Sequence, residues 1–179
     1  MSKSVEAGML RGRPFGGVMI LIRDDLRIVT ETIFCDERFA ILRVANYLIV
    51  TVYLPCTGSI DRYLICEEIL YTISAWRARY ADLELILAGD FNVNLDNDDD
   101  CIVKLISNFM RTFHLSRCDD LFPSQKVSTY VNLALQHESQ IDFILSSNTS
   151  YVTDFHVLDP SINFSDHLPL CVTSHNQVS

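Results

Sequence analysis

A chain of 179 residues, 49% hydrophobic and 21% charged, is long and apolar enough to bury a substantial core in one globular domain, which excludes a disordered protein. Its apolar runs stop far short of the roughly 20 residues that cross a bilayer, and residues 1–13 carry no apolar signal-peptide core, so no membrane partner is expected and a nuclear or cytoplasmic setting is the default. A net charge of −9 excludes a protein that holds nucleic acid by bulk electrostatics, but leaves room for a site where a divalent cation offsets clustered carboxylates.

Residues 18–22, after Gly16-Gly17, read as a buried strand, and residues 26–34 and 39–44 continue as short β-rich segments. Asn46-Tyr47 marks a turn. "YLIVTVYLP", residues 47–55, is dense in β-branched and aromatic residues and stops at Pro55, as suits a central strand. Ile65, Ile69, Ile73, Trp76 and Tyr80 recur at steps of four and three and predict a helix from about 59 to 80. Residues 83–89 form a short strand. Residues 101–113 form a second helix with Ile102, Leu105, Ile106, Phe109 and Phe113 inward, and later strands are expected at 140–145, 152–158 and 168–173. With no repeat and no linker, these elements suggest a single domain over residues 1–179 built as an α/β sandwich of layered sheets.

Cys35, Cys56, Cys66, Cys101, Cys118 and Cys171 are scattered and never form a CxxC pair, so they read as reduced core residues rather than zinc ligands or disulfides. The acidic run "DFNVNLDNDDD" fails as a calcium loop. From Asp90, Leu95 stands where the turn glycine belongs and Cys101 where the bidentate Glu belongs, while from Asp96 those places fall to Cys101 and Ser107. Asp98, Asp99 and Asp100 instead read as a solvated turn that places negative charge at the start of the next helix. Gly12 and Gly17 have P-loop spacing, but Val18 and Met19 replace the Lys and Ser/Thr. There is no GxSxG elbow, and His137-Glu138 lacks the second His of a zincin helix.

Asp90 and Asn92 follow a strand that ends in Gly89, at the strand's carboxyl edge where layered α/β folds commonly bind ligands. On those two residues alone an Asx turn closing the strand is the plainer reading, and His167 alone reads as a structural histidine. "VYLP", "GDFN", "IDFIL" and "SDHLPL" in this order change the balance, because four polar strand ends can converge on one pocket.

"GRPFGGVMIL", "VYLP", "LILAGDFNV", "STYV", "QIDFIL" and "SDHLPL" resemble the endonuclease/exonuclease/phosphatase superfamily, in particular the apurinic-type endonuclease domain of non-LTR (LINE-type) retrotransposons, over residues 10–172. The resemblance implies a four-layered α/β sandwich, two packed β-sheets flanked by helices, and metal-dependent hydrolysis of a DNA phosphodiester that nicks one strand. It also implies DNA as partner, Mg²⁺ as cofactor with Mn²⁺ as substitute, and a reverse transcriptase domain in the parent polypeptide. By the same resemblance Tyr53 lies near the scissile phosphate, Asp90 orients or deprotonates the attacking water, and Asn92 bonds the phosphate and holds Asp90. His167 binds the phosphoryl oxygens with Asp142 accepting from its other ring nitrogen, Asp166 lies near the metal, and Ser128, Thr129 and Tyr130 belong to a DNA-contacting hairpin region.

Family members begin with a strand carrying an Asn and a second strand ending in a metal-binding Glu, both upstream of the segment that matches "GRPFGGV". Residues 1–10 supply neither, and Glu6 has no apolar strand before it. The expectation is an N-terminally truncated domain that lacks the first family strands. Its rivals are a non-catalytic remnant with at most weak DNA binding and a phosphatase of the same superfamily.

Overall fold

The densest β-forming stretch of the sequence supplies the strand around which the large sheet is organised. A computed structural model describes residues 17–26, 28–123, 128–132, 134, 136–158 and 165–175. In chain order they form β1 (Thr30–Cys35), β2 (Phe39–Val44), β3 (Tyr47–Tyr53), α1 (Arg62–Arg79), β4 (Glu84–Asp90), α2 (Cys101–Thr112), β5 (Ser116–Arg117), β6 (Tyr130–Asn132), β7 (His137–Ser139), β8 (Asp142–Ser146), β9 (Val152–Val157) and β10 (Leu170–Ser174). Glu6 and the rest of residues 1–16 lie outside the described residues.

The large sheet runs β1-β2-β3-β4-β8-β5, with β9 and β10 forming a second pair and β6 and β7 a third. Only β3 and β4 are parallel in the large sheet, and α1 is the crossover that parallel neighbours require. The period-2 pattern of the strands decides which face the helices cover. Leu48, Val50 and Val52 of β3, Leu85 and Leu87 of β4, and Phe143 and Leu145 of β8 are in register and buried. They pack with Cys66, Ile69, Leu70 and Ile73 of α1 and Ile102, Val103, Ile106 and Phe109 of α2 in one core. The other face is half-buried. Its residues Ile86 and Ile144 line a cavity of about 250 Å³ together with Val152 of β9 and Val172 of β10, so the small sheet packs over that side. Helices on one face of a multi-strand sheet and further strands on the other give the mixed α/β layering expected from the sequence.

Four expectations need correction. Residues 18–22 pair with no strand among the described residues. Their burial alternates, with Met19 and Leu21 74% and 80% exposed, so the apolar run has the period of a strand without a ladder. The β2–β3 turn sits at Ala45-Asn46, one residue early, with Ala45 at φ 50°. Helix α1 starts at Arg62 because Asp61 adopts a left-handed φ of 56°. The cysteines are free as expected, but only Cys66 and Cys118 are buried, while Cys35, Cys56 and Cys101 are exposed and Cys171 is intermediate. Apolar neighbours in sequence did not carry these thiols inward, since side chains at strand ends and a helix start face water.

Gly89 shows what close packing demands of β4. Its φ is 142°, and a Cβ there would lie 2.0 Å from the carbonyl oxygen of Val52, its register partner on β3. The acidic run behaves as a turn. Asp98 and Asp99 are exposed, and Asp100 caps α2 by accepting from the Ile102 N–H at 2.7 Å. Gly89→Ala is therefore expected to cost about 3 kcal/mol or more, because backbone must move. Asp100→Ala should cost about 1 kcal/mol and Asp98→Ser with Asp99→Ser less than about 0.5 kcal/mol. Urea unfolding checks the order, and equal losses at Asp98 and Asp100 would contradict the assignment of the cap.

Candidate active site

Three neighbouring strands bring their polar ends to one edge of the large sheet. Tyr53 ends β3 and pairs with Asp90 at the end of β4, and Asp90 pairs with Asp142 at the start of β8. The period-2 rule points all three away from the helices, onto the half-buried face. The Leu54 N–H donates to the Asp90 carbonyl at 2.9 Å and extends the β3–β4 pairing past the strand ends.

Asp90 is held by both oxygens. The Asn92 backbone N–H donates to Oδ1 at 2.8 Å and its side-chain Nδ2 to Oδ2 at 2.9 Å, while Nδ2 also donates to the Leu54 carbonyl at 2.9 Å. This is the Asx turn that was the plainer reading of GDFN, but it does more than close a strand. It takes Asn92 at φ 51°, a conformation Asn tolerates better than most residues, and orients the carboxylate rigidly.

Asp142 and His167 form a dyad, with the ring Nδ1 donating to Asp142 Oδ2 at 2.9 Å. Each half is splinted by β6 and the residue before it, which precede both in sequence. The Thr129 hydroxyl accepts from the backbone N–H groups of Ile141 and Asp142, both at 3.0 Å, and its carbonyl accepts from Leu168 at 2.7 Å. Tyr130 bridges to His167 and sets its ring edge-on to the imidazole at 5.2 Å, and Val131 donates to the Asp166 carbonyl at 2.9 Å. The dyad opens on a cleft of about 450 Å³ lined by Thr51, Ala88, Ile144, Ser165 and Leu170 among others.

Burial, and then the Asp142 carboxylate, push the Asp90 carboxyl up to about 6, against the two Asn92 hydrogen bonds and His167. His167 is raised as well, chiefly by its hydrogen bond to Asp142 and then by the negative charges of Asp142, Asp90 and Asp166, with burial opposing. Asp90, Asp142 and His167 each offer a ligand atom, all within 4.8 Å of one another. Two carboxylates and an imidazole suit a divalent cation, which would relieve the repulsion that raises Asp90.

The sequence-predicted residues are thus largely brought together. Tyr53, Asp90, Asn92, Asp142 and His167 share one edge. Asp166 adjoins His167, but the three-residue ligand group does not include it. Ser128 is half-buried and Tyr130 touches the site, whereas Thr129 is fully buried and braces Asp142 and Leu168 from beneath, not on the surface a DNA strand would meet. Two neighbours were not anticipated. Arg38 lies 5.4 Å from the centre of the Tyr53 ring, and the Arg62 guanidinium donates to the carbonyl of Asn92. Neither has a local signal, since each is a lone arginine whose partners come from another segment.

Among solved structures the chain is similar to a 3′ phosphatase, NExo, from Neisseria bound to a product DNA hairpin, with 16% identity over 83% of this chain and 70% of that one and a TM-score of 0.64. It is also similar to an AP endonuclease from Archaeoglobus fulgidus, with 15% identity, the same coverage and a TM-score of 0.61. No curated protein matches its sequence. The profile of the endonuclease/exonuclease/phosphatase family matches residues 8–167, and the chain belongs to that family.

Proposed function

We propose that this site hydrolyses a phosphodiester of DNA, nicking one strand, and that the chain is a single-domain endonuclease of a non-LTR retrotransposon polypeptide that also carries a reverse transcriptase and works in the nucleus or cytoplasm. The observation that carries the chemistry is a carboxylate gripped at both oxygens beside an Asp–His dyad. Asp90 takes the proton of the attacking water as its oxygen bonds to phosphorus, and the bond from phosphorus to the leaving oxygen breaks. His167, oriented by Asp142 and favoured by it in the charged form, donates to a phosphoryl oxygen as charge builds there. Asn92 adds a donor and fixes Asp90, and Tyr53 borders the phosphate. Ser128 and Tyr130 flank the path of the strand. The carboxylates of Asp90 and Asp142, with Asp166 adjacent, would hold the cation, and Mg²⁺ or Mn²⁺ there would neutralise the phosphoryl oxygens. With a net charge of −9, the chain draws little affinity for DNA from bulk attraction and depends on such a cation. The retrotransposon assignment rests on "GRPFGGV" and "STYV" around the shared motifs, and the two similar structures, a phosphatase and an AP endonuclease by name, support a phosphoester substrate.

Supercoiled plasmid should be nicked only with Mg²⁺ or Mn²⁺ present, and Asp90→Asn or His167→Ala should each slow nicking about 10² to 10³-fold. Nicking that survives both substitutions in purified protein sinks the assignment, and release of phosphate from a 3′-phosphorylated oligonucleotide without any nicking would favour the phosphatase instead.

The proton on Asp90 also couples the site to stability. Its folded pKa of about 6 exceeds its ordinary 3.8, so the stabilisation from the extra proton is complete below about 3.8 and is lost as pH rises to about 6. His167, raised above its ordinary 6.5, contributes with the same sign, complete below 6.5 and lost as pH rises through its folded value. Without added metal, the Asp90 part amounts to roughly 3 kcal/mol across its window. Urea midpoints of wild type and Asp90→Asn from pH 4 to 7 should therefore converge toward the acid end and separate toward neutral, with the wild type less stable. Parallel curves would show that Asp90 carries no such burden.

A further inference from the structure

We propose that Arg62, the first residue of α1, is a positioning residue that aligns Asp90 by holding the backbone of Asn92. The inference rests on the reading of Asp90 as the group that handles the attacking water. Arg62 Nε donates to the Pro55 carbonyl at 2.9 Å and Nη2 to the Asn92 carbonyl at 2.8 Å, and Nη1 lies 3.7 Å from the Asp100 carboxylate that caps α2. One planar group, its side chain only 14% exposed, thereby ties together the loop after β3, the loop after β4 and the start of α2.

The chain of contacts to the reacting edge is short. Arg62 fixes the carbonyl of Asn92, and Asn92, at its left-handed φ of 51°, turns its backbone N–H and its amide onto the two oxygens of Asp90. The same amide reaches the carbonyl of Leu54, next to Pro55, so both loops that Arg62 grips are the loops that Asn92 joins.

Helix formation does not account for an arginine here. A cation at a helix N-terminus opposes the helix dipole, the first turn of α1 holds no acidic residue, and Asp61 makes no side-chain cap bond. A residue that breaks a local preference while completing a contact network at the site is there for the network. Lysine would keep the charge, but a single ammonium on a flexible stem cannot replace a fork that bonds two carbonyls at once.

The test uses the full chain with Arg62→Lys, and Arg62→Gln alongside it in case the lysine variant does not fold. Amide hydrogen exchange read by NMR should quicken about tenfold or more at Asn92, the loss expected for one charge-assisted hydrogen bond, while Val50 and Leu87 in the core strands keep their protection. In plasmid nicking with Mg²⁺, kcat should fall about tenfold with KM unchanged, and adding Arg62→Lys to Asn92→Ala should lower kcat no further than Asn92→Ala alone. Unchanged exchange at Asn92, or effects of Arg62→Lys and Asn92→Ala that multiply, overturns the proposal. If the wild type does not nick at all, the nuclease reading fails, and exchange at Asn92 still decides what Arg62 holds.

Discussion

Asp90 and Asp142 are register partners on adjacent strands, two carboxylates brought to one sheet edge and half-buried there. Like charges so placed repel, and the surrounding structure is arranged to tolerate them without separating them. Asn92 supplies two donors to Asp90, and His167 supplies one to Asp142. Even so, Asp90 stays well above the ordinary carboxylate range, so these bonds compensate only part of the cost of burial. What is left over favours a positive ligand, and a phosphodiester approaching with its cation would supply one.

The same chain shows how it treats carboxylates that are not to react. Arg117, largely buried, bonds Asp119, which is 5% exposed, and also reaches Asp96 and Asp120 and rests on the Phe143 ring. Gln140 donates to Asp119 at 2.9 Å and accepts from Arg117 at 3.1 Å. Here every buried charge meets an opposite charge, and the network pins β5 and the turn after it against β8. Asp90 and Asp142 meet no arginine or lysine among the described residues; Asp142 is paired with His167 instead and lines an open cleft. One arrangement stabilises, whereas the other stores electrostatic strain at an open edge.

How much of this the sequence reveals depends on how local the cause is. The stripe of Ile65, Ile69 and Ile73 and the alternation in 47–53 are set within one element, so α1 and β3 appear close to where their patterns place them. GDFN and SDH carry their own short-range geometry, and the Asx turn that Asn92 makes on Asp90 can be read from spacing alone. Thr129 could be noticed but not understood. Its hydroxyl serves two N–H groups 12 and 13 residues away, and only tertiary structure makes it a brace. The β6–β7 hairpin was expected only through the family resemblance and not from any pattern of its own, since three-residue strands such as His137–Ser139 have too few side chains to show a period. Residues 18–22 failed in the opposite sense, with the apolar period of a strand but no partner ladder among the described residues, because pairing is a property of two segments.

Gly89 and Arg62 show why the site needs support from outside its reacting groups. Gly89 lets the end of β4 approach β3 more closely than any side chain would allow, which puts Asp90 beside Tyr53 and within reach of the Leu54 backbone. Close approach alone would leave the following loop free to choose its path, and an Asn at positive φ is one choice among several. Arg62 selects that path by taking up the carbonyls on either side of it. Precision at the carboxylate is thus assembled from a residue with no side chain and a residue whose charge is turned inward. Neither would be found by searching for groups that can do chemistry, yet the angle of the Asp90 carboxylate depends on both.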